Sequence, residues 1–364
     1  MLNFEKINEA IEEGLISRRK HPTQDLWILN YTQTVQIDRK WNQETISCRG
    51  LIVNDLNRVI ARPFKKFFNI EELSYFRNYL HNLYDVKYSE IFRLPFKAYE
   101  KLDGSLGILY WDKKERLSIA TRGSFESEQA VKATEILRTK YSDVKFERRY
   151  TYLFEIIYKE NRIVLDYGDT EDIRLIAILD TDTGIDNDIY SDEFAHLPFI
   201  RPILYEGIYG LEELSHKQEE NKEGFVLLFE NGFRAKFKFE EYKRLHKIMT
   251  GVTPKRIFEQ VRANVEIDKW LENVPDEFYQ EIKKQALDFS SAYAKIEAEA
   301  KEIYEKVVKE CESKPEFDGD IRHSVNRKLF ASKVIKTKYA SILFSILDRK
   351  SYDQLIWNIV ETSI

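Results

Sequence analysis

Lys101-Leu102-Asp103-Gly104-Ser105 lies between Pro95-Phe96-Lys97-Ala98-Tyr99 and Leu106-Gly107-Ile108-Leu109-Tyr110, two stretches that read as strands. A lysine is followed two residues later by an acid, then by a turn residue and a hydroxyl. A lysine amine attacks phosphorus only when neutral, a form favoured by burial or by a neighbouring cation. The run has the layout of a lysine that attacks the α-phosphate of a nucleotide and carries the nucleotidyl group covalently. Gly104 lets the backbone approach a ligand without a Cβ clash. The competing reading is an exposed Asp-Gly turn joining two strands. The surrounding sequence has to separate the two.

Working outward, residues 3–17 show Phe4, Ile7, Ile11 and Leu15 at helical spacing. From about 26 to 240 the pattern is mostly strand. Leu51-Ile52-Val53 and Val59-Ile60-Ala61 flank a polar turn, as do Gly107–Tyr110 and Leu117–Ala120 around the segment holding Lys113-Lys114. Tyr152–Tyr158 and Leu175–Leu179 are apolar. Phe225–Phe229 and Phe233–Phe239 flank Asn231-Gly232, which predicts a hairpin with a type I′ turn. A helix is expected from Ser127 to about Lys140, with Ala130, Val131, Ala133, Ile136 and Leu137 on its apolar side. Beyond residue 250 the period changes. Phe278, Ile282, Phe289, Tyr293, Ile296, Ala300, Ile303 and Val307 mark one long helix, and 325–333, 338–347 and 352–359 mark three more. Gly251 and Pro254 suggest the junction. The expected organisation is an α+β domain of antiparallel hairpins at 1–250 and an all-α domain at 251–364.

Composition sets bounds on function. The 364 residues are 43% hydrophobic, enough for two packed domains, and no apolar run approaches a membrane span. The N-terminus lacks the layout of a signal peptide. Cys48 and Cys311 stand far apart, offer no zinc spacing and suggest a reducing, cytoplasmic setting. The six histidines, among them His21, His81 and His246, are scattered and read as surface or packing residues. A net charge of −5 does not advertise a nucleic-acid binder, so any such partner requires positive charge concentrated in one groove.

Four segments join Lys101 in a nucleotide-handling set. Arg62-Pro63-Phe64-Lys65-Lys66-Phe67-Phe68-Asn69 puts cations beside aromatics, for phosphate and base or, alternatively, as core phenylalanines with exposed lysines. Glu155 sits alone in the apolar strand Leu153–Ile157 and needs a partner there: a ribose, a hydrated metal or a structural ion pair. Glu223-Gly224 repeats that logic. Alternation places Lys236 and Lys238 on one strand face, where they could clamp a triphosphate.

These segments, in this order, resemble the ATP-dependent RNA ligases of the bacteriophage T4 RNA ligase 1 group, within the covalent nucleotidyltransferases. The resemblance runs through most of residues 25–246. It comprises Cys48-Arg49-Gly50, Arg62–Asn69, Lys101–Ser105, Arg122-Gly123-Ser124 with Ser127–Ala130, Phe154-Glu155 with Asn161–Leu165, Glu223-Gly224, and Lys236–Lys238 with Tyr242 and His246. It implies a nucleotidyltransferase domain of ATP-grasp-like antiparallel sheets and an AMP carried on Lys101. By the same resemblance Tyr31, Arg49, Lys66, Lys236 and Lys238 contact ATP. Glu155 and Glu223 hold the ribose or a hydrated Mg²⁺, for which Mn²⁺ can substitute, with Asp103 nearby. Tyr242 is a residue required for activity. Asp268 falls at an acidic metal position where one of two neighbouring acids is kept. Arg122 stands where the compared member has a lysine, which keeps the charge.

The implied partner is RNA with 5′-phosphate and 3′-hydroxyl ends, including tRNA broken in its anticodon loop, handled by a monomer in RNA repair. Arg322, Arg327, Lys328, Lys333, Lys336 and Lys338 are candidate contacts of the helical domain; the alternative is ordinary helix surface. DNA ligases and capping guanylyltransferases remain rival readings, although both would place a β-barrel after the last lysine pair. A non-catalytic RNA-binding protein is the rival from another class.

Overall fold

The computed structural model describes residues 2–362 except 77–80, 82, 83, 85, 113, 209, 250, 272, 273 and 275–277. Lys113 of the Lys113-Lys114 pair therefore lies outside the described residues. In chain order the strands are β1 (Ile16–Lys20), β2 (Leu26–Tyr31), β3 (Arg49–Asn54), β4 (Val59–Ala61), β5 (Phe68–Asn69), β6 (Phe96–Glu100) and β7 (Ser105–Trp111). There follow β8 (Leu117–Ala120), β9 (Tyr150–Ile157), β10 (Asp172–Asp180), β11 (Asp186–Asn187), β12 (Leu204–Tyr205), β13 (Gly224–Phe229) and β14 (Arg234–Lys238). They build three sheets, ordered β1-β2-β3-β4, β11-β10-β9-β7-β8 and β12-β6-β13-β14-β5. All pairings are antiparallel except the short β5–β14 pair.

Strand alternation decides how the layers stack. Leu109, Ile119, Tyr152 and Phe154 face one side of the second sheet and bury Ala133, Ile136 and Leu137 of the helix Glu128–Lys140. Their neighbours Ile108, Ala120 and Leu153 face the other side, against Ile28, Ile52 and Ala61 of the first sheet. The helix begins where expected because Ser127 accepts the Ala130 N–H at 3.2 Å. Val131, expected on its apolar side, is exposed. A third core lies under the last sheet, where Ala98, Phe225, Leu227 and Ala235 pack on Leu73 and Phe76.

Two local expectations needed correction. The first helix covers only Phe4–Glu12, because Gly14 takes φ +72° and the chain turns into β1. In the β13–β14 hairpin Gly232 has positive φ but Asn231 does not. The Gly232 N–H bonds Phe229 O and the Asn231 side chain accepts from the Phe233 N–H, so the loop is a type I turn followed by a left-handed glycine. Pro254, read as part of a junction, is the first turn of a helix, Pro254–Arg262, capped by Thr253.

The chain divides into two compact units, Met1–Met249 and Thr250–Ile364. The second is helical. Its 34-residue helix Tyr279–Glu312 packs Ala300 and Val307 among Phe330, Leu343 and Ile356 of the helices Ser324–Val334, Ala340–Leu347 and Asp353–Glu361. No helix of the described residues is long and apolar enough to cross a membrane.

Candidate active site

The Lys101–Gly104 segment is a crossover between two sheets. β6 belongs to the third sheet and β7 to the second, so the segment is not the tip of a hairpin. Asp103 is 4% exposed. Both facts remove the reading of an exposed Asp-Gly turn. The Lys101 N–H continues the β6–β13 ladder by donating to Gly224 O at 2.9 Å. That bond fixes the lysine beside the start of β13. Its Nζ donates to Glu223 Oε2 at 2.7 Å, while Lys238 Nζ lies 3.1 Å from Oε1 of the same carboxylate. Burial alone would raise the Glu223 pKa, but Lys101 and Lys238 outweigh it and hold the carboxyl below its usual value. The two cations bracketing one buried acid are thus brought together from β14 and the crossover.

Gly224 makes this approach feasible. It sits at φ +141°, and a Cβ there would lie 2.0 Å from Phe237 O and 2.8 Å from Lys238 Cα. Both obstacles are backbone and cannot rotate away. Gly224→Ala should therefore cost about 3 kcal/mol through strain and overpacking. Urea denaturation would measure it, and a midpoint equal to that of the parent protein would refute this account.

Asp103 holds the crossover in place through its carboxylate. Its Oδ2 accepts the Val164 and Leu165 N–H groups, each at 2.8 Å, and its Oδ1 accepts the Tyr242 hydroxyl at 2.8 Å. The Asp103 N–H donates to the Tyr167 hydroxyl at 2.9 Å. Both carboxylate oxygens are engaged, so Asp103 ties the crossover to the 164–165 backbone and to the helix Glu240–Met249. Tyr242 reaches the site through that bond. Gly104 is needed for a neighbouring strand, since a Cβ there would lie 2.5 Å from Ile156 O of β9. Ser105 donates to Asn161 Oδ1 at 3.0 Å, and Asn161 donates to Ile156 O at 2.8 Å.

A cavity of about 200 Å³ opens at Lys101, lined also by Arg49, Glu155, Val226 and Lys236. β9 places Glu155 opposite Leu106 of β7 and Arg174 of β10. No described residue donates a hydrogen bond to its carboxylate or lies within ion-pair distance of it, which removes the structural ion pair as an explanation. Its pKa is pushed up to about 7. Burial is the main cause, helped by the Glu223 and Asp103 charges and opposed by Lys101 and Arg49. Arg49 and Lys236 flank the Phe67 ring, at 5.9 and 5.5 Å from its centroid. Tyr31 and Lys66 stand outside the cavity lining. Lys66 is 4% exposed, with its Nζ 5.4–5.7 Å from the ring centroids of Tyr31, Trp41 and Phe68. Arg122 donates to the Tyr31 hydroxyl at 2.9 Å. The Arg62–Asn69 run therefore divides: Lys66 is buried and Lys65 exposed.

Asp268 belongs to the second unit, in the short helix Ile267–Leu271, and lies 3.3 Å from Lys283 Nζ. Among the described residues no three acids, histidines or cysteines gather as a metal cluster. His21 and His246 are buried, and His21 bonds Tyr110 and Gln24. Four of the six basic candidates in the second unit are paired with acids: Arg322 with Asp320, Arg327 with Asp348, Lys333 with Glu310 and Lys338 with Glu299. Tyr167 and Trp41 went unnoticed in the sequence, because an aromatic in an apolar context looks like any core residue. Only the fold shows that one holds the crossover and the other encloses a lysine.

Comparison with known proteins adds a family. A profile described as RNA ligase matches residues 47–242, more than half of the chain. An RNA ligase of Rhodothermus phage RM378 is 25% identical over 95% of this chain and 90% of its own length. A protein of Autographa californica nuclear polyhedrosis virus, whose name pairs a polynucleotide kinase with an RNA ligase, is 29% identical over 74% of this chain; the match spans 40% of that protein. Among solved structures, an archaeal ATP-dependent RNA ligase aligns over 96% of this chain and 97% of its own at 11% identity and a TM-score of 0.44.

Proposed function

The chain belongs to the RNA ligase family, and from that premise we propose that it seals RNA 5′-phosphate and 3′-hydroxyl ends with ATP, through an AMP carried on Lys101. The observation that carries the reading is the crossover lysine, held at 2.7 Å by a buried glutamate at the mouth of a cavity that also holds the unpaired acid Glu155 and the cations Arg49 and Lys236. In the first step Lys101 Nζ sheds a proton and bonds the α-phosphorus, and the bond to pyrophosphate breaks. In the second an RNA 5′-phosphate oxygen takes the AMP and Nζ recovers a proton. In the third the 3′-hydroxyl oxygen attacks that 5′-phosphorus, loses its proton, and AMP leaves. Each is a displacement at phosphorus, so the protein contributes position and charge. Arg49 and Lys236 oppose the phosphate charge, Lys238 keeps Glu223 anchored when Lys101 moves to the nucleotide, and Asp103 with Tyr242 and Tyr167 holds the crossover rigid. ATP labelled at the α-phosphate should mark the protein covalently, and 5′-phosphorylated RNA should remove the mark. A folded protein that takes no label would overturn the reading.

The donor set fits a hydrated Mg²⁺ at Glu155, whose carboxylate accepts no hydrogen bond from the described residues. Asp103 stays a proposed contact through a metal-bound water, with one acceptor site left on Oδ1 beside the Tyr242 hydroxyl. Bound there, the ion would neutralise phosphate charge while keeping most of its water. Asp268 remains a proposed outer metal residue. For RNA choice in the second unit, including broken tRNA, Lys328 and Lys336 are the candidates without a carboxylate within ion-pair distance among the described residues. The working form proposed is a cytoplasmic monomer.

Glu155 gives this reading a pH signature. The acid holds its proton up to about 7 in the free protein, against an ordinary value of 4.5. The folded state thus binds more protons than the unfolded state between these values. The stability contributed is full below 4.5 and is lost as pH rises through about 7. A ribose hydroxyl or hydrated ion selects the carboxylate, so ATP binding with Mg²⁺ at about pH 6 should release part of a proton, and at about pH 8.5 none. Calorimetry in two buffers of different ionisation heat reads this directly. Equal heats at the lower pH, or unchanged proton release in Glu155→Gln, would contradict it.

A further inference from the structure

A second cavity of about 760 Å³ adjoins the first. Its size lies within the range of ligand sites, about 300–1,000 Å³. Both are walled by Phe64, Phe67, Tyr99 and Arg234, so one opens beside the other. Four cations line the larger chamber, and they differ in what they touch. Arg234 forms a two-point pair with Asp186, and Lys97 Nζ lies 2.9 Å from Asp188. Arg62 donates Nε to Thr181 O at 2.8 Å and has no carboxylate within 4 Å, nor has Lys65, among the described residues. Glu230 lines the chamber as well, so four cations face three carboxylates. Arg62 and Lys65 are the two cations not held in an ion pair among the described residues, and they stand next to an edge-to-face pair of phenylalanine rings 5.9 Å apart.

In a chain of net charge −5 the cations exceed the acids in this chamber, and the combination has a chemical counterpart. Cations position nucleic-acid phosphates and aromatic rings take base faces without sequence preference. A strand that brings its 5′-phosphate to Lys101 can lay its next nucleotides in the chamber that shares a wall with the Lys101 cavity. We propose that this chamber seats the RNA strand adjoining its reacting end, with Arg62 and Lys65 on a phosphodiester and the phenylalanine wall against a base. The inference rests on the ligase reading above. It assigns a place and two residues that the nucleotidyl site itself does not require.

The test uses the full chain and the variants Lys65→Glu and Lys65→Arg; Lys65 is exposed, so neither change disturbs the core. The probes are α-labelled ATP and a short 5′-phosphorylated oligoribonucleotide. Lys65→Glu should take label within about twofold of the parent protein, bind RNA about tenfold more weakly and pass AMP to it correspondingly less at limiting RNA. Its plot of log affinity against log salt should flatten by about 0.7 for each phosphate that the protein no longer neutralises. Lys65→Arg should keep affinity and slope. Loss of labelling together with transfer would overturn the proposal, because the chamber would then hold the ATP polyphosphate. Unchanged RNA affinity and slope in Lys65→Glu would overturn it as well. A parent protein that takes label but never passes it to RNA would instead sink the ligase reading, and this inference with it.

Discussion

Lys101→Ala yields a folded protein that takes no label from α-labelled ATP. The lysine sits at a cavity mouth with its side chain 19% exposed, outside the apolar clusters, so its loss removes chemistry and little packing. Loss of a nucleophile that acts as one unit with its surroundings costs on the order of 10⁴-fold or more. Lys101→Arg should be equally inactive, because a guanidinium does not deprotonate and cannot attack phosphorus. The third step does not use the amine as a nucleophile. An RNA already carrying 5′-5′-linked AMP should therefore still be sealed by Lys101→Ala, which separates a missing nucleophile from a collapsed site. Label retained by Lys101→Ala would place the nucleotidyl group elsewhere.

Much of this site could be read in the sequence because its residues violate their strand context. An acid in Leu153–Ile157 and another before Phe225 are costly where they stand, and paired lysines in β14 share a face by alternation alone. The same logic placed the helix at Ser127 and the long helix of the second unit. What stayed hidden depends on which segments approach each other across long chain distances. Nothing in the sequence signalled that the backbone of 164–165 and the Tyr242 hydroxyl would meet the Asp103 oxygens, from 61 and 139 residues away. Gly104 reads as room for a ligand until Ile156 O is seen to fill that room. Asn231-Gly232 signals a hairpin correctly but not which residue takes positive φ, because two turn types share that sequence. The acidic partners of four of the six candidate cations in the second unit were not legible either. Two of these, Glu310 for Lys333 and Glu299 for Lys338, come from the long helix Tyr279–Glu312.

Glu223→Ala should be the most damaging single change to the site other than loss of the nucleophile, and for a different reason. The carboxylate is 2% exposed and answers both Lys101 and Lys238, itself 7% exposed. Removing it leaves two cations close together with little water, and an uncompensated buried charge costs about 3 kcal/mol. The lysine is also deprived of the partner that aims it, and misplacement of a reacting atom by about 1 Å costs on the order of 10²-fold. Labelling should fall by at least that factor while the urea midpoint falls too. Adding Lys238→Met removes the second charge and should recover much of the stability without restoring labelling, since Lys101 still lacks its partner. The pH dependence carries the sign of the pair. Lys101 and Lys238 hold Glu223 below 4.5 despite burial, so its contribution is full above 4.5 and is lost as pH falls through the lower folded value. Denaturation of the parent protein should therefore steepen in acid where that of Glu223→Ala does not. A Glu223→Ala protein as stable as the parent at neutral pH, with the same acid limb, would mean that the two lysines do not depend on this carboxylate.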